Sequence, residues 1–187
     1  MNQYQALCAA GLSFGVMGVA FAETSDAQSL AAHVHGSATL QIAVDSDTLT
    51  ISFSSPLGNL LGFERKARNQ AEVRQVQNMI NQFYQNNAFV PSKAAHCKLQ
   101  TIHLESLVIK KKPQAASTEQ RTHEQEAGHA DLNAALLYQC KKIKNLRDLQ
   151  VNLFKAFPNL HQLNVEIISE RGQSAIKLTP NNSQANW

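Results

Sequence analysis

Charge is missing from the front of this chain. The first 22 residues, MNQYQALCAAGLSFGVMGVAFA, contain no Asp, Glu, Lys or Arg. Their apolar run is too short, and too rich in glycine and alanine, for a spanning helix, which needs about 20 apolar residues. The stretch closes on Ala20-Phe21-Ala22 and turns polar at once with ETSDAQS. Residues 1–22 are therefore expected to be a cleaved signal peptide with Glu23 as the mature start, although the n-region lacks the usual Lys or Arg. No membrane span is expected once it is removed. No basic helix or aromatic–arginine surface pattern is present, which removes nucleic acid as an expected partner. Beyond the signal segment there is no Gly-x-Ser-x-Gly, His-Glu-x-x-His, phosphate loop or dinucleotide fingerprint, so the expectation is that the chain is not an enzyme.

Cysteine is scarce as well, with three in all. Cys8 falls inside the signal segment, too early for lipid attachment. Cys97 and Cys140 remain, and an even pair outside the reducing cytosol reads as a disulfide. The competing reading, two thiolates of a metal site, needs both reduced and lacks a Cys-x-x-Cys spacing. Pairing them leaves no free thiol nucleophile.

The composition that remains is that of a folded protein: 187 residues, 43% hydrophobic, 17% charged and a net charge of +3. One domain, or two small lobes sharing a core, fits that length. Lys110, Lys111 and Lys112 are the densest basic cluster and read as a solvated connector.

Residues 23–34 read as a flexible leader. From Ala38 the period is two, with Ala38, Leu40, Ile42 and Val44 on one face and Thr39, Gln41, Ala43 and Asp45 on the other. After the turn residues Asp45-Ser46-Asp47, alternation resumes at Leu49, Ile51 and Phe53, giving a hairpin ended by Pro56. SPLGNLLGFER is apolar but aperiodic and reads as an irregular loop. Asn69 with Glu72 three residues on marks a helix start, and Val73, Val76, Ile80 and Phe83 follow at helical spacing. Cys97 to Ile109 is strand-rich. Residues 110–130 lack apolar periodicity and read as an exposed, disordered loop. DLNAALLYQCKK reads as a strand, LRDLQVNLFKAFPNL as a short strand and a short helix stopped at Pro158, and HQLNVEIISERGQSAIKLT as two strands turning at Arg171-Gly172. The expected fold is α+β. It has two related strand-strand-helix-strand lobes with antiparallel sheets, residues 35–109 and 131–180, joined by the disordered middle loop and followed by a tail at 181–187.

HVHGSATLQIAVDSDTLTISFSSPLGNLLGFE, the Cys97 and Cys140 pair, HADLNAALLYQC and LFKAFPNLHQLNVEIISERGQSAIKLTP resemble the ZrgA family across nearly the whole mature chain. That resemblance implies a zinc-regulated protein of the Gram-negative periplasm, long catalogued as a domain of unknown function. It further implies that the chain binds Zn²⁺ and supports high-affinity zinc uptake beside an ABC importer. The sequence departs from the family pattern twice. The middle loop has only His123, Glu124, Glu126 and His129 in place of a long His-, Asp- and Glu-rich run, and the family's Gly-Phe-Glu-His is here Gly62-Phe63-Glu64-Arg65.

Zinc takes about four ligands from imidazole, thiolate or carboxylate. On extended backbone, residues two apart point the same way, so His33 and His35 can converge on one ion. His129 and Asp131 repeat that spacing before a strand, and the two pairs would meet if their strands were neighbours. His123, Glu124 and Glu126 form a loose loop chelator whose ordering on binding costs affinity. The alternative reading of His33 and His35 is a solvated leader. His103 and His161 read as packed or exposed strand residues, His96 as exposed, and Glu64 as either a site residue or a charge partner of Arg65 or Arg68. The alternative function is a metal-independent envelope scaffold or interaction module, with the apolar PLGNLLGF as its recognition patch if exposed, or as a core plug if not.

Overall fold

The alternating runs fold as strands in the computed structural model, which describes residues 35–85, 88–109 and 130–187. β1 (Ser37–Asp45) and β2 (Thr48–Pro56) form the expected hairpin, with Leu40, Ile42, Leu49, Ile51 and Phe53 turned inward. The aperiodic segment that follows is not a loop but a five-residue helix, α1 (Leu57–Leu61). Gly62, at φ 79°, caps its C-terminus in the left-handed conformation that glycine adopts without strain. Leu57 and Leu60 are buried, so this segment plugs the core and offers no exposed recognition patch.

α2 (Gln70–Tyr84) starts where the capping pattern puts it: the Asn69 side chain accepts a hydrogen bond from the Glu72 backbone N–H. It packs through Val76, Met79 and Phe83, whereas Val73 is 48% exposed and does not join the buried stripe. The chain continues through β3 (Phe89–Pro91), β4 (Cys97–Glu105), β5 (Asp131–Cys140), β6 (Asp148–Val151), α3 (Leu153–Ala156), β7 (Gln162–Ser169), β8 (Gly172–Leu178) and β9 (Gln184–Asn186). β3 and β9 carry no period of their own at three residues each. The stretch 181–187, expected as a tail, contributes β9 with Ala185 fully buried.

α+β holds, with strands from both halves of the chain in one sheet in place of a sheet for each lobe. Six strands form one sheet in the order β4-β5-β2-β1-β7-β8, so strands from the two halves of the chain are interleaved in it. The β1–β7 pair is parallel and the other pairs are antiparallel. A second sheet, β3-β6-β9, shares one hydrophobic core with α2 and the inner face of the large sheet. Phe53 of β2, Phe83 of α2 and Phe89 of β3 meet there with ring centroids 5.7–6.3 Å apart. The Tyr138 hydroxyl of β5 donates to the Phe89 carbonyl at 3.2 Å, and burial pushes this phenol well above its usual range. The outer face of the large sheet carries Thr39, Gln41, Ser52, Asn164 and Glu166, all exposed.

Cys97 and Cys140 face each other across β4 and β5 and form the expected disulfide. With the two cysteines 43 positions apart in sequence, closing this loop removes about 4 kcal/mol of unfolded-state entropy in the chain model. The expected signal segment and leader, and residues 110–129 of the expected middle loop, lie outside the described residues.

Candidate metal centre

Strand direction decides what lies at one end of the sheet. β1, β5 and β7 all run the same way, so all three begin at the same edge of the molecule. His35 stands just ahead of β1, Asp131 opens β5, and His161 stands just ahead of β7. Strands β5 and β1 are not neighbours, however, because β2 runs between them: Asp131 lies opposite Pro56. Two inter-strand spacings separate β1 from β5, about 10 Å. The neighbour of β1 on its other side is β7, with Ser37 opposite Gln162. Among the described residues, the imidazole brought beside His35 is therefore that of His161.

This corner is tied down by backbone. Gly36 turns at φ 82°, and its carbonyl accepts from the backbone N–H groups of His161 at 2.8 Å and Gln162 at 2.9 Å. Asn59 of α1, buried beneath, braces the turn from below. Its Oδ1 accepts from the Gly36 N–H at 2.6 Å, and its Nδ2 donates to the Ser37 carbonyl at 2.8 Å and the Ser55 hydroxyl at 3.3 Å. A side-chain amide does both jobs because it is donor and acceptor at once. The aperiodic segment thus has a purpose beyond filling the core: it delivers Asn59 to the mouth of β1.

Above the brace is an open cleft of about 470 Å³ bordered by His35, Glu64, Asn159 and His161. Two glycines make room for two of these side chains. A methyl group at Gly36 would stand 2.7 Å from Cδ2 of His161, and one at Gly58 would stand 2.9 Å from Oε1 of Glu64. Real Cβ atoms do not approach so closely, so both ligand-type side chains rest on bare backbone. Oε1 of Glu64 is buried, while His35 and His161 are exposed. Among the described residues no three His, Cys, Asp or Glu side chains are gathered closely enough to hold an ion as they stand. The cleft is open-sided, with two imidazoles and a carboxylate around its rim.

Arg65, the residue after Glu64, points elsewhere. Its guanidinium grips Glu72 of α2 with two bonds, at 2.7 and 3.0 Å, and lies 4.9 Å from the Phe63 ring centroid. Glu72 also accepts from the Arg68 backbone N–H at 2.7 Å. These bonds, the Arg65 one foremost, hold the Glu72 carboxyl down at about 2. The charge partner of Arg65 is thus Glu72, which ties the segment after α1 to the first turn of α2.

Of the other expected ligands, His33, His123, Glu124, Glu126 and His129 lie outside the described residues. Asp131 sits at the mouth of β5 with Oδ1 buried. His103 faces the outer side of the large sheet beside Glu105 and Asn133, and His96 is exposed at the turn into Cys97. His161 was expected to be a packed or exposed strand residue and Glu64 either a site residue or a charge partner, and these two share the cleft with His35. The one signal available for His161 was its position: like His35, it stands immediately before an alternating run.

The chain was compared with known proteins. The model of a family described as ZrgA family zinc uptake protein matches residues 32–187. No curated protein matches the chain.

Proposed function

The chain belongs to the ZrgA family of zinc uptake proteins, and from that premise we propose that it is an exported zinc-binding accessory protein. It captures Zn²⁺ in the periplasm, after removal of residues 1–22, and supports zinc acquisition or storage beside an ABC zinc importer. The observation that carries this reading is the cleft at the mouths of β1 and β7. There His35, His161 and Glu64 border one space over a braced turn, with glycine at the two positions where a side chain would obstruct them. His33, two residues before His35 in sequence, is assigned as an alternative to one of these three donors. Asp131 opens β5; His129 and the His123, Glu124 and Glu126 group precede it in sequence and form a second, weaker set in this assignment.

The chemistry of the donors suits cargo better than a structural ion. Structural zinc sites are closed by four protein ligands, whereas sites that exchange a ligand keep a position open. Three donors on an open rim leave such a position. The proposal assigns no catalytic step to the chain. Burial of Leu57 and Leu60 removes the feature that favoured a metal-independent scaffold.

Zinc titration calorimetry on residues 23–187 tests the reading. Binding heat is expected at neutral pH and should fade as pH drops through about 6.5, where imidazole protonates and no longer ligates. His161→Ala and His33→Ala/His35→Ala should each weaken binding more than deletion of residues 110–129. Heat no greater than that of a non-binding control would remove the proposal.

A further inference from the structure

The large sheet ends on two strands, β4 and β8, and the two edges are finished differently. β4 carries Lys98, His103 and Glu105 and shifts its register between Leu99 and Thr101, devices that keep a sheet edge from pairing further. β8 has neither a register shift nor a proline. Its sequence, GQSAIKL, carries one charge, Lys177, and Gly172, Gln173, Ser174 and Ala175 are exposed.

The register shows which main-chain groups of β8 are free. Glu170 and Arg171 form a two-residue turn, so the closing pair, Ser169 and Gly172, exchanges both of its hydrogen bonds. Every second pair along an antiparallel ladder does the same. Ser174, Ile176 and Leu178 therefore bond to β7, while the N–H and C=O of Gln173, Ala175 and Lys177 point away from it. Among the described residues no hydrogen bond engages those outward groups.

We propose that β8 pairs with β8 of a second copy of the chain, antiparallel about a two-fold axis through Ala175. With Ala175 opposite its own copy, Gln173 falls opposite Lys177, and every outward N–H of one strand meets an outward carbonyl of the other. The side chains fit the same axis. Ala175 meets itself there, where a charge would repel its copy and a bulky group would clash. The Gln173 carboxamide stands across from the Lys177 ammonium and can accept from it. Like charges stay apart. Glu166 of β7, beside Ala175, lies three strand spacings from its copy, and Lys177 lies four residues along the pair from its own. Each separation is about 14 Å, beyond the reach of exposed charges at moderate salt. A strand from another protein has no need of this self-complementary order, whereas a two-fold contact requires it. Leu178 lies beside Leu163 at the start of β7, so the axis sets the two metal clefts at opposite ends of one continuous sheet, each built from its own chain.

Sedimentation equilibrium of the mature chain, residues 23–187, tests this in the presence of a chelator, so the outcome is independent of the metal assignment. A strand pair makes a small interface, so the protein is loaded from micromolar to millimolar concentration. The mass should rise toward that of two chains and stop there, because a two-fold contact closes on itself. In amide exchange followed by NMR, Gln173, Ala175 and Lys177 should gain protection as the protein is concentrated, while Ser174 and Ile176 are protected throughout. Ala175→Lys puts like charges on the axis and should weaken association about tenfold or more. Ala175→Pro removes an N–H that β7 does not use and should abolish it. Both variants should keep the circular dichroism spectrum of the wild type. The proposal is overturned by a single-chain mass at every concentration, which would leave this edge to another protein's strand, by growth beyond two chains, or by a dimer that survives both substitutions.

Discussion

Asn59→Ala should loosen the corner that presents His35, and its cost can be worked out from the bonds it breaks. The side chain is buried and serves the Gly36 N–H, the Ser37 carbonyl and the Ser55 hydroxyl. A hydroxyl can rotate to another acceptor, but the two backbone groups cannot. Each buried backbone group left without a partner costs about 1–3 kcal/mol, so the variant should lose about 3 kcal/mol, given that the Ser37 side is only partly buried. For a domain of this size each kcal/mol moves the melting midpoint by about 2–4 °C, and a drop of about 6–12 °C is expected by calorimetry or circular dichroism. Asn59→Leu separates two explanations. Leucine refills the volume yet leaves the same N–H and carbonyl unserved, so it should be nearly as destabilising as alanine. If leucine restored the wild-type midpoint, the brace would be a matter of packing and the hydrogen-bond argument would be wrong.

Other consequences can be checked on the same apparatus. Glu72 titrates near 2 when folded against 4.5 when free; a depressed acid contributes stability above its unfolded pKa, lost as pH falls from about 4.5 toward 2. Urea midpoints of the wild type should therefore fall faster over that window than those of Glu72→Gln, and parallel curves would refute the assignment. Gly36→Ala puts a methyl 2.7 Å from the His161 ring at a φ of 82°, whereas Gly172→Ala, at φ 120°, meets nothing within 4 Å. Both variants should lose stability through backbone strain, about 1–3 kcal/mol. Only Gly36→Ala should also shift the His161 imidazole resonances in an NMR spectrum.

Elements that announce themselves locally were legible. Strict alternation fixed the faces of β1, β2 and β5, and Asn69 with Glu72 located the start of α2, because period and capping are short-range properties. The disulfide followed from reasoning about compartment, since only two cysteines stood outside the expected signal segment. What failed was non-local. A like order of elements in the two halves suggested twin lobes, but element order does not choose strand partners, and β7 pairs with β1 across 125 residues. Without that pair His161 had no reason to be placed beside His35. α1 was missed because five residues cannot display a helical period, and β3 and β9 because three cannot display a strand's.

The sulfur bridge bears on how this protein meets proteases. Cys97 and Cys140 stand on either side of the 110–129 connection, so a cut anywhere within that stretch yields two pieces still joined by a covalent tether. Because strands from both pieces are shuffled through one sheet, the nicked molecule would also keep its framework of neighbours. On a gel, such material should run as a single band until a thiol is added, and as two thereafter.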